Sequence, residues 1–301
     1  MDLIVAATDF SPTASAATRR AAQLAAVSGA RVALLHVAPH RASWRFFGNS
    51  AVRLSDLHRK AVQLQREYRV PVAAYLAEGS TDREIASFAR SKGADLIVLG
   101  LRGGFLQDLF GTATAQRVRR RVGVPVLAVA REPARPYRKV LVATDFSAAS
   151  ARAARLVSRI LPEAAVRLLH VCDPRTGQAK NALSRLRRFA ARTGLVPAAV
   201  DVAVGSPAAA IREHAASVGA DLVVTAPAET SRLARRIFYG VTDALLSGGK
   251  HDMLIGPAPD ARRRAAGTPE APTCRERWYD RVLPCRESWS PSMDRSRPSG
   301  R

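Results

Sequence analysis

Cysteine is scarce in this chain. Only Cys172, Cys274 and Cys285 occur, an odd number without C-x-x-C spacing. That excludes a disulfide framework or a cysteine zinc site as the organising device. The six histidines are scattered, with no H-E-x-x-H pair. His36 and His170 close two matching apolar runs and read as strand-end imidazoles, so no metal site is expected. Aromatic content is 6%, which leaves the apolar surface to small aliphatic side chains. No apolar run approaches the roughly 18 residues of a membrane span. The start, Met1-Asp-Leu-Ile-Val-Ala-Ala7, has no basic leader and reads as a strand, so a cytoplasmic protein without a membrane partner is expected.

Acidic residues are also few. Asp and Glu number 25 against 47 Lys and Arg, a formal net charge of +22. Such an excess attracts polyanions. The cations are spread over several helical segments with no interleaved aromatics, however, so they read as solvated helix faces. Specific nucleic-acid recognition is not expected. Catalytic signatures are missing as well. There is no G-x-x-x-x-G-K-[ST] loop, no G-x-S-x-G elbow and no carboxylate pair at matching strand ends. No catalytic residue is therefore named, and weak ATP hydrolysis is the most that is expected.

What the chain does have is an internal repeat. Leu3-Ile-Val-Ala-Ala-Thr-Asp-Phe-Ser11 returns as Val140-Leu-Val-Ala-Thr-Asp-Phe-Ser147. Leu34-Leu-His-Val37 returns at 168–171, and Gly93-Ala-Asp-Leu-Ile-Val98 at 219–224. Val124-Pro-Val-Leu-Ala-Val129 has a weaker echo at 251–256. Landmarks in one order at nearly constant offset mean duplication. In the first copy, strands are expected near 2–8, 31–37, 71–76, 95–99 and 125–130, with helices near 12–28, 50–67, 81–92 and 112–122. In the second, strands fall near 139–144, 166–171, 199–204, 221–225 and 252–256, and one helix near 177–193. The strands lack polar alternation, as a parallel sheet covered on both faces requires. The expected fold is α/β, two tandem Rossmann-like, doubly wound, five-stranded parallel domains. The expected domains are 1–135 and 136–257. The Arg/Pro/Ser-rich stretch 258–301 reads as a disordered tail.

A doubly wound sheet binds ligands beyond the strand ends where the strand order reverses. Here three stretches converge on that place. The first strand ends in Ala7-Thr8-Asp9, where a carboxylate can meet a ribose or base. The second ends at Val37, whose backbone can face an adenine edge. The fourth ends at Leu99-Gly100 and continues through Arg102, Gly103 and Gly111-Thr112-Ala113-Thr114. Glycines let an anion approach the backbone, a helix start offers free N–H groups, and Arg102 can pair with phosphate oxygens. The second copy keeps the scaffold but runs into Thr225-Ala-Pro-Ala-Glu-Thr-Ser231, with no G-x-x-G. Packing alone is therefore not expected to require the first copy's glycines.

In combination, Val5–Ser11, Leu34–Val37, Gly93–Gly100, Gly111–Val118 and Val124–Val129 resemble the universal stress protein family. The resemblance covers about 2–257 as two copies. It implies the adenine nucleotide alpha hydrolase-like version of the fold, dimerisation through the last strand and, in one subgroup, ATP binding. The binding subgroup shows G-x-x-G-x(9)-G-[S/T]. Here seven residues separate Gly103 from Gly111, two fewer. By the family's pattern Asp9, Val37, Gly100, Gly103, Gly111, Thr112 and Thr114 would hold ATP, with Mg²⁺. The resemblance implies a sensor or regulator with one nucleotide site, in the first half, an unnamed protein partner, and self-association or an internal pseudo-dimer through the last strands. The alternative is an interaction or scaffold protein of the same fold that holds no nucleotide.

Overall fold

The computed structural model describes residues 1–38, 54–101, 112–133, 135–172, 181–226, 232–248 and 251–257. The expected tail at 258–301 lies outside them. The first half alternates β1 (Leu3–Ala7), α1 (Pro12–Ser28), β2 (Arg31–Ala38), α2 (Leu54–Tyr68), β3 (Val72–Glu78), α3 (Thr81–Ser91), β4 (Leu96–Gly100), α4 (Thr112–Arg121) and β5 (Val126–Val129). The second repeats this with β6 (Lys139–Ala143), α5 (Ala148–Ile160), β7 (Ala165–Cys172), α6 (Ala182–Thr193), β8 (Ala199–Val204), α7 (Pro207–Ser217), β9 (Leu222–Thr225), α8 (Arg232–Gly248) and β10 (Asp252–Ile255).

Local chemistry explains the helix ends. Ser11 caps α1 by accepting the Ala14 N–H, and Pro12 supplies the fixed φ of a first helical residue. Gly29, at φ 69°, closes the helix in the left-handed region that glycine reaches without strain. Ser147 caps α5 in the same way by accepting from Ser150.

The ten strands form one sheet, in the order β3-β2-β1-β4-β5-β10-β9-β6-β7-β8. Each half is parallel with the order 3-2-1-4-5, and the halves meet where β10 runs antiparallel to β5, with Leu254 opposite Leu127. The last strands thus make the internal pseudo-dimer that the repeat led one to expect. Successive β1 residues point to opposite faces: Ile4 and Ala6 join the core beneath α1, α2, α5 and α6, which runs unbroken through both halves. Val5 and Ala7 join the core beneath α3 and α4, and a separate cluster lies beneath α7 and α8.

Two buried polar contacts reinforce the junction. On one face Arg20 of α1, Tyr137 of the connector and Asp252 of β10 meet. On the other, Arg119 of α4 pairs with Asp243 of α8 at 3.0 Å. Among the described residues no helix is long and apolar enough to cross a membrane.

Candidate functional site

The Thr-Asp-Phe-Ser motif has a local structural reason that sequence reading did not supply. Phe10 sits at φ 65°, and Phe146 repeats it at 66°. A bulky residue holds that conformation only when its surroundings over-determine it. The Thr8 hydroxyl accepts the Phe10 N–H at 3.0 Å, and Asp9 Oδ1 accepts the Ser11 N–H at 2.9 Å. The Phe10 ring packs on the His36 imidazole, with centroids 5.3 Å apart. His36 in turn donates from Nδ1 to the Thr8 carbonyl oxygen at 2.7 Å. The second half reproduces this set with Thr144, Asp145, Phe146, Ser147 and His170. Asp9 therefore shapes the turn with one carboxylate oxygen. Among the described residues Oδ2 has no partner.

Burial pushes both imidazoles below the ordinary histidine range, against the opposing pull of the carbonyl bond and of Asp9 or Asp145. The unfolded chain then takes up protons first as the pH falls. These rings contribute stability above about pH 6.5 that is lost on acidification through the depressed folded values. Proton NMR titration should find both rings titrating below the ordinary histidine value, and an ordinary titration near 6.5 would contradict their burial.

A small crevice, with room for about 20 Å³ of water, opens where β1 and β4 end, the point at which the strand order reverses. Of the residues expected to bind, Ala7, Asp9, Leu99, Gly100 and Thr114 line it together. Thr8 and Val37 do not. The Thr8 hydroxyl serves the turn, and the Val37 side chain is 2% exposed in the core beneath α3. Thr112 and Ala113 open α4, whose first turn carries Thr114 to the cavity. Arg102, Gly103 and Gly111 lie outside the described residues. Sequence reading missed Ser11, Thr13, Ala14 and Ile85 as lining residues. The helical spacing of Ile85, Ala86, Phe88 and Ala89 marks the buried side of α3, but not that Ile85 reaches the crevice.

Gly100 requires a correction. A Cβ there would stand 2.9 Å from the backbone carbon and oxygen of Thr13 and 3.0 Å from the Ala14 nitrogen. The first turn of α1 packs directly on it, so packing alone calls for glycine. The second half has Ala226 at the matching register, next to β9. Gly256 lies beside Ala226, and a Cβ on Gly256 would come within 3.1 Å of the Ala226 Cβ. The first half pairs Gly100 with Val129; the second exchanges which neighbour is small.

A matching crevice in the second half, with room for about 60 Å³ of water, is bordered by Asp145, His170, Thr225 and Thr242. Glu229, in the stretch that follows β9, lies outside the described residues. Among the described residues no group of three or more His, Cys, Asp or Glu is placed to hold a metal ion.

Two successive stretches, residues 1–130 and 136–257, match the model of the universal stress protein family. Among solved structures the chain is similar to a universal stress protein from Archaeoglobus fulgidus DSM 4304. Identity is 16% and the TM-score 0.64, over 85% of this chain and 98% of that one. A functionally unknown protein from Pseudomonas aeruginosa PAO1 is similar at 18% identity and a TM-score of 0.65, over 88% of this chain and 95% of that one. At these identities the structural likeness speaks to the fold. No curated protein sequence matches the chain.

Proposed function

The chain belongs to the universal stress protein family, and on that premise we propose that it is a cytoplasmic stress-response regulator that binds one ATP, with Mg²⁺, in its first half. The observation that carries this reading is the meeting of Asp9, Gly100 and Thr114 on one cavity at the strand-order reversal. The free oxygen of Asp9 offers an acceptor to a ribose or base. The Thr114 hydroxyl and the start of α4 offer donors on the side where phosphates would lie. The family's pattern adds Arg102, Gly103 and Gly111 to the phosphates. The second half lacks G-x-x-G and takes no ATP in this reading. Occupancy changes how the protein associates with a partner, and no catalytic step is assigned.

Isothermal titration of the full chain with ATP and Mg²⁺ tests this. Thr114→Val keeps the volume and removes one hydroxyl, so affinity should fall about fivefold, the worth of one neutral hydrogen bond. Asp9→Ala should cost at least about tenfold, since it removes a charged acceptor. Absence of heat at millimolar ATP would sink the reading. It would favour the second one, a scaffold of the same fold without nucleotide. The packing role of Gly100 and the loop two residues short of the family's pattern both support that alternative.

A further inference from the structure

On the sheet face covered by α1, α2, α5 and α6, the two halves place arginine differently. In the first half Arg19 of α1 pairs with Glu132 and Arg20 with Asp252. Its α2 carries two acids, Asp56 and Glu67, among its cations, and Arg59 pairs with Asp56. In the second half α5 has three arginines, α6 has four, and neither has an Asp or Glu. Arginine stands at 152, 155 and 159 on α5 and at 185, 188 and 192 on α6. Both sets follow the same i, i+3, i+7 spacing, which keeps each on one side of its helix.

Burial sorts the two sides of these helices. Beyond Ala148, every exposed position of α5 is one of its arginines, while Ala153, Val157 and Ile160 join the core. On α6, Arg187, Arg188 and Arg192 are exposed, and Leu186 and Phe189 are buried. The two helices pack against each other, which places the arginine rows about 8–10 Å apart, each about 10 Å long. Arg185 and Arg192 lie over the rings of Phe146 and Phe189, at 4.2 and 5.9 Å from the ring centres. Stacking of that kind leaves guanidinium edges open to hydrogen bonds. Glu163, which follows α5, pairs with Arg138, and Asp201 of β8 pairs with Arg167 and His214. Among the described residues no carboxylate pairs with Arg155, Arg159, Arg187 or Arg188.

Like charges this close repel, and a polyanion relieves the repulsion. We propose that the α5–α6 face docks the phosphate backbone of a double-stranded nucleic acid, without regard to base sequence. Each guanidinium is a planar fork that matches phosphate oxygens. Two rows about 10 Å apart are on the scale of a duplex groove, about 12 Å wide, whose rims carry the phosphates. Neither helix exposes an aromatic ring on which single-stranded bases could stack. A membrane surface fits less well, because an interfacial helix inserts its apolar side. Here those sides lie in the core, and Leu183 is the one large apolar residue the two helices expose. Residues 258–301 hold more Arg than Asp and Glu, and a second copy brings the same cations, so both are repelled. The inference is independent of whether the first half binds ATP.

Fluorescence anisotropy of the full chain with a labelled duplex of about 20 base pairs tests this, the duplex being made once as DNA and once as RNA to identify the source of the phosphates. The wild type should bind at least one of them at about 100 mM salt, with an affinity that falls steeply with salt and ignores base sequence. Arg155→Gln/Arg159→Gln/Arg188→Gln should weaken binding at least about tenfold. It should also reduce the slope of log affinity against log salt by about 2–3, about 0.9 per lost phosphate contact. The matching Lys variant keeps the charges and should recover most of the affinity. Arg31→Gln/Arg66→Gln/Arg83→Gln removes the same charge from exposed sites in the first half, and should change the slope by less than about 1. Equal loss in the two glutamine variants would mean that net charge and not this face holds the duplex, and would overturn the proposal. So would absence of binding by the wild type, or face substitutions that release vesicles of anionic lipid but not the duplex.

Discussion

Replacing Asp252 with alanine is expected to cost about 3–5 kcal/mol of folding stability, the penalty for removing one member of a buried charged pair. The carboxylate is almost enclosed, with 3% of its side chain exposed. Oδ1 accepts the N–H groups of Ala130 and Arg131, and Oδ2 accepts the Tyr137 hydroxyl. Arg20 Nε lies 3.8 Å away, with the guanidinium stacked over the Tyr137 ring at 3.8 Å. Alanine would leave those donors and a buried cation facing an apolar methyl. Because the cluster joins α1, the connector and β10, the damage falls on the junction between the halves. Urea denaturation followed by circular dichroism measures it. A loss below about 1 kcal/mol would show that water relaxes into the site and that the cluster is incidental to the junction.

The same carboxyl makes a pH prediction. Burial raises its pKa, outweighing the hydrogen bonds and Arg20, which pull the other way. A raised folded value means that the folded state holds the proton more tightly than the unfolded chain does. Its contribution is fully present below the unfolded value, near 4, and declines as the pH rises through the folded one. The stability of the wild type relative to Asp252→Asn, which cannot titrate, should therefore shrink as the pH rises from about 4. A difference that grows with pH would mean that the ion pair, not burial, dominates.

Gly100→Val is the second substitution with a large expected effect. The first added carbon would already collide with the Thr13 and Ala14 backbone, which cannot turn aside as a side chain can. Overpacking of this kind costs about 1–3 kcal/mol, and valine's two further methyls place it at the upper end. The displaced turn carries Ser11, Thr13 and Ala14, so the ATP binding proposed for the first crevice should be lost with it. Calorimetric unfolding without nucleotide separates the two consequences. A lower melting temperature without ATP locates the effect in packing. Full stability with lost binding would mean that the glycine serves the ligand alone.

This glycine shows where sequence reading reaches its limit. The comparison of copies indicated that packing does not demand Gly100, because the second copy lacks it. In three dimensions the second copy carries Ala226 at that register, with Gly256 packed beside it thirty residues further along the chain. No local pattern links those positions. The Asp9 turn is a different case. The recurrence of Thr-Asp-Phe-Ser in both halves was legible, but the turn it makes, with the same hydrogen bonds in both, was not.

The repeat, the uninterrupted apolar strands and the Ser-Pro and glycine punctuation carry the α/β alternation and the doubly wound order, because strand burial and helix capping are decided within a few residues. The pairing of last strands was also within reach, since two copies each leave one such edge to cover. Which polar groups become enclosed together was not legible. Asp252 reads as the start of a strand, and becomes a junction residue only because antiparallel pairing of β5 and β10 brings the connector and α1 over it. His170 and Thr225 stand far apart in the chain, and border one cavity because β7 and β9 flank β6. Burial and partner choice depend on groups from separate elements arriving at one point, and that is a property of the packed sheet rather than of any single stretch of chain.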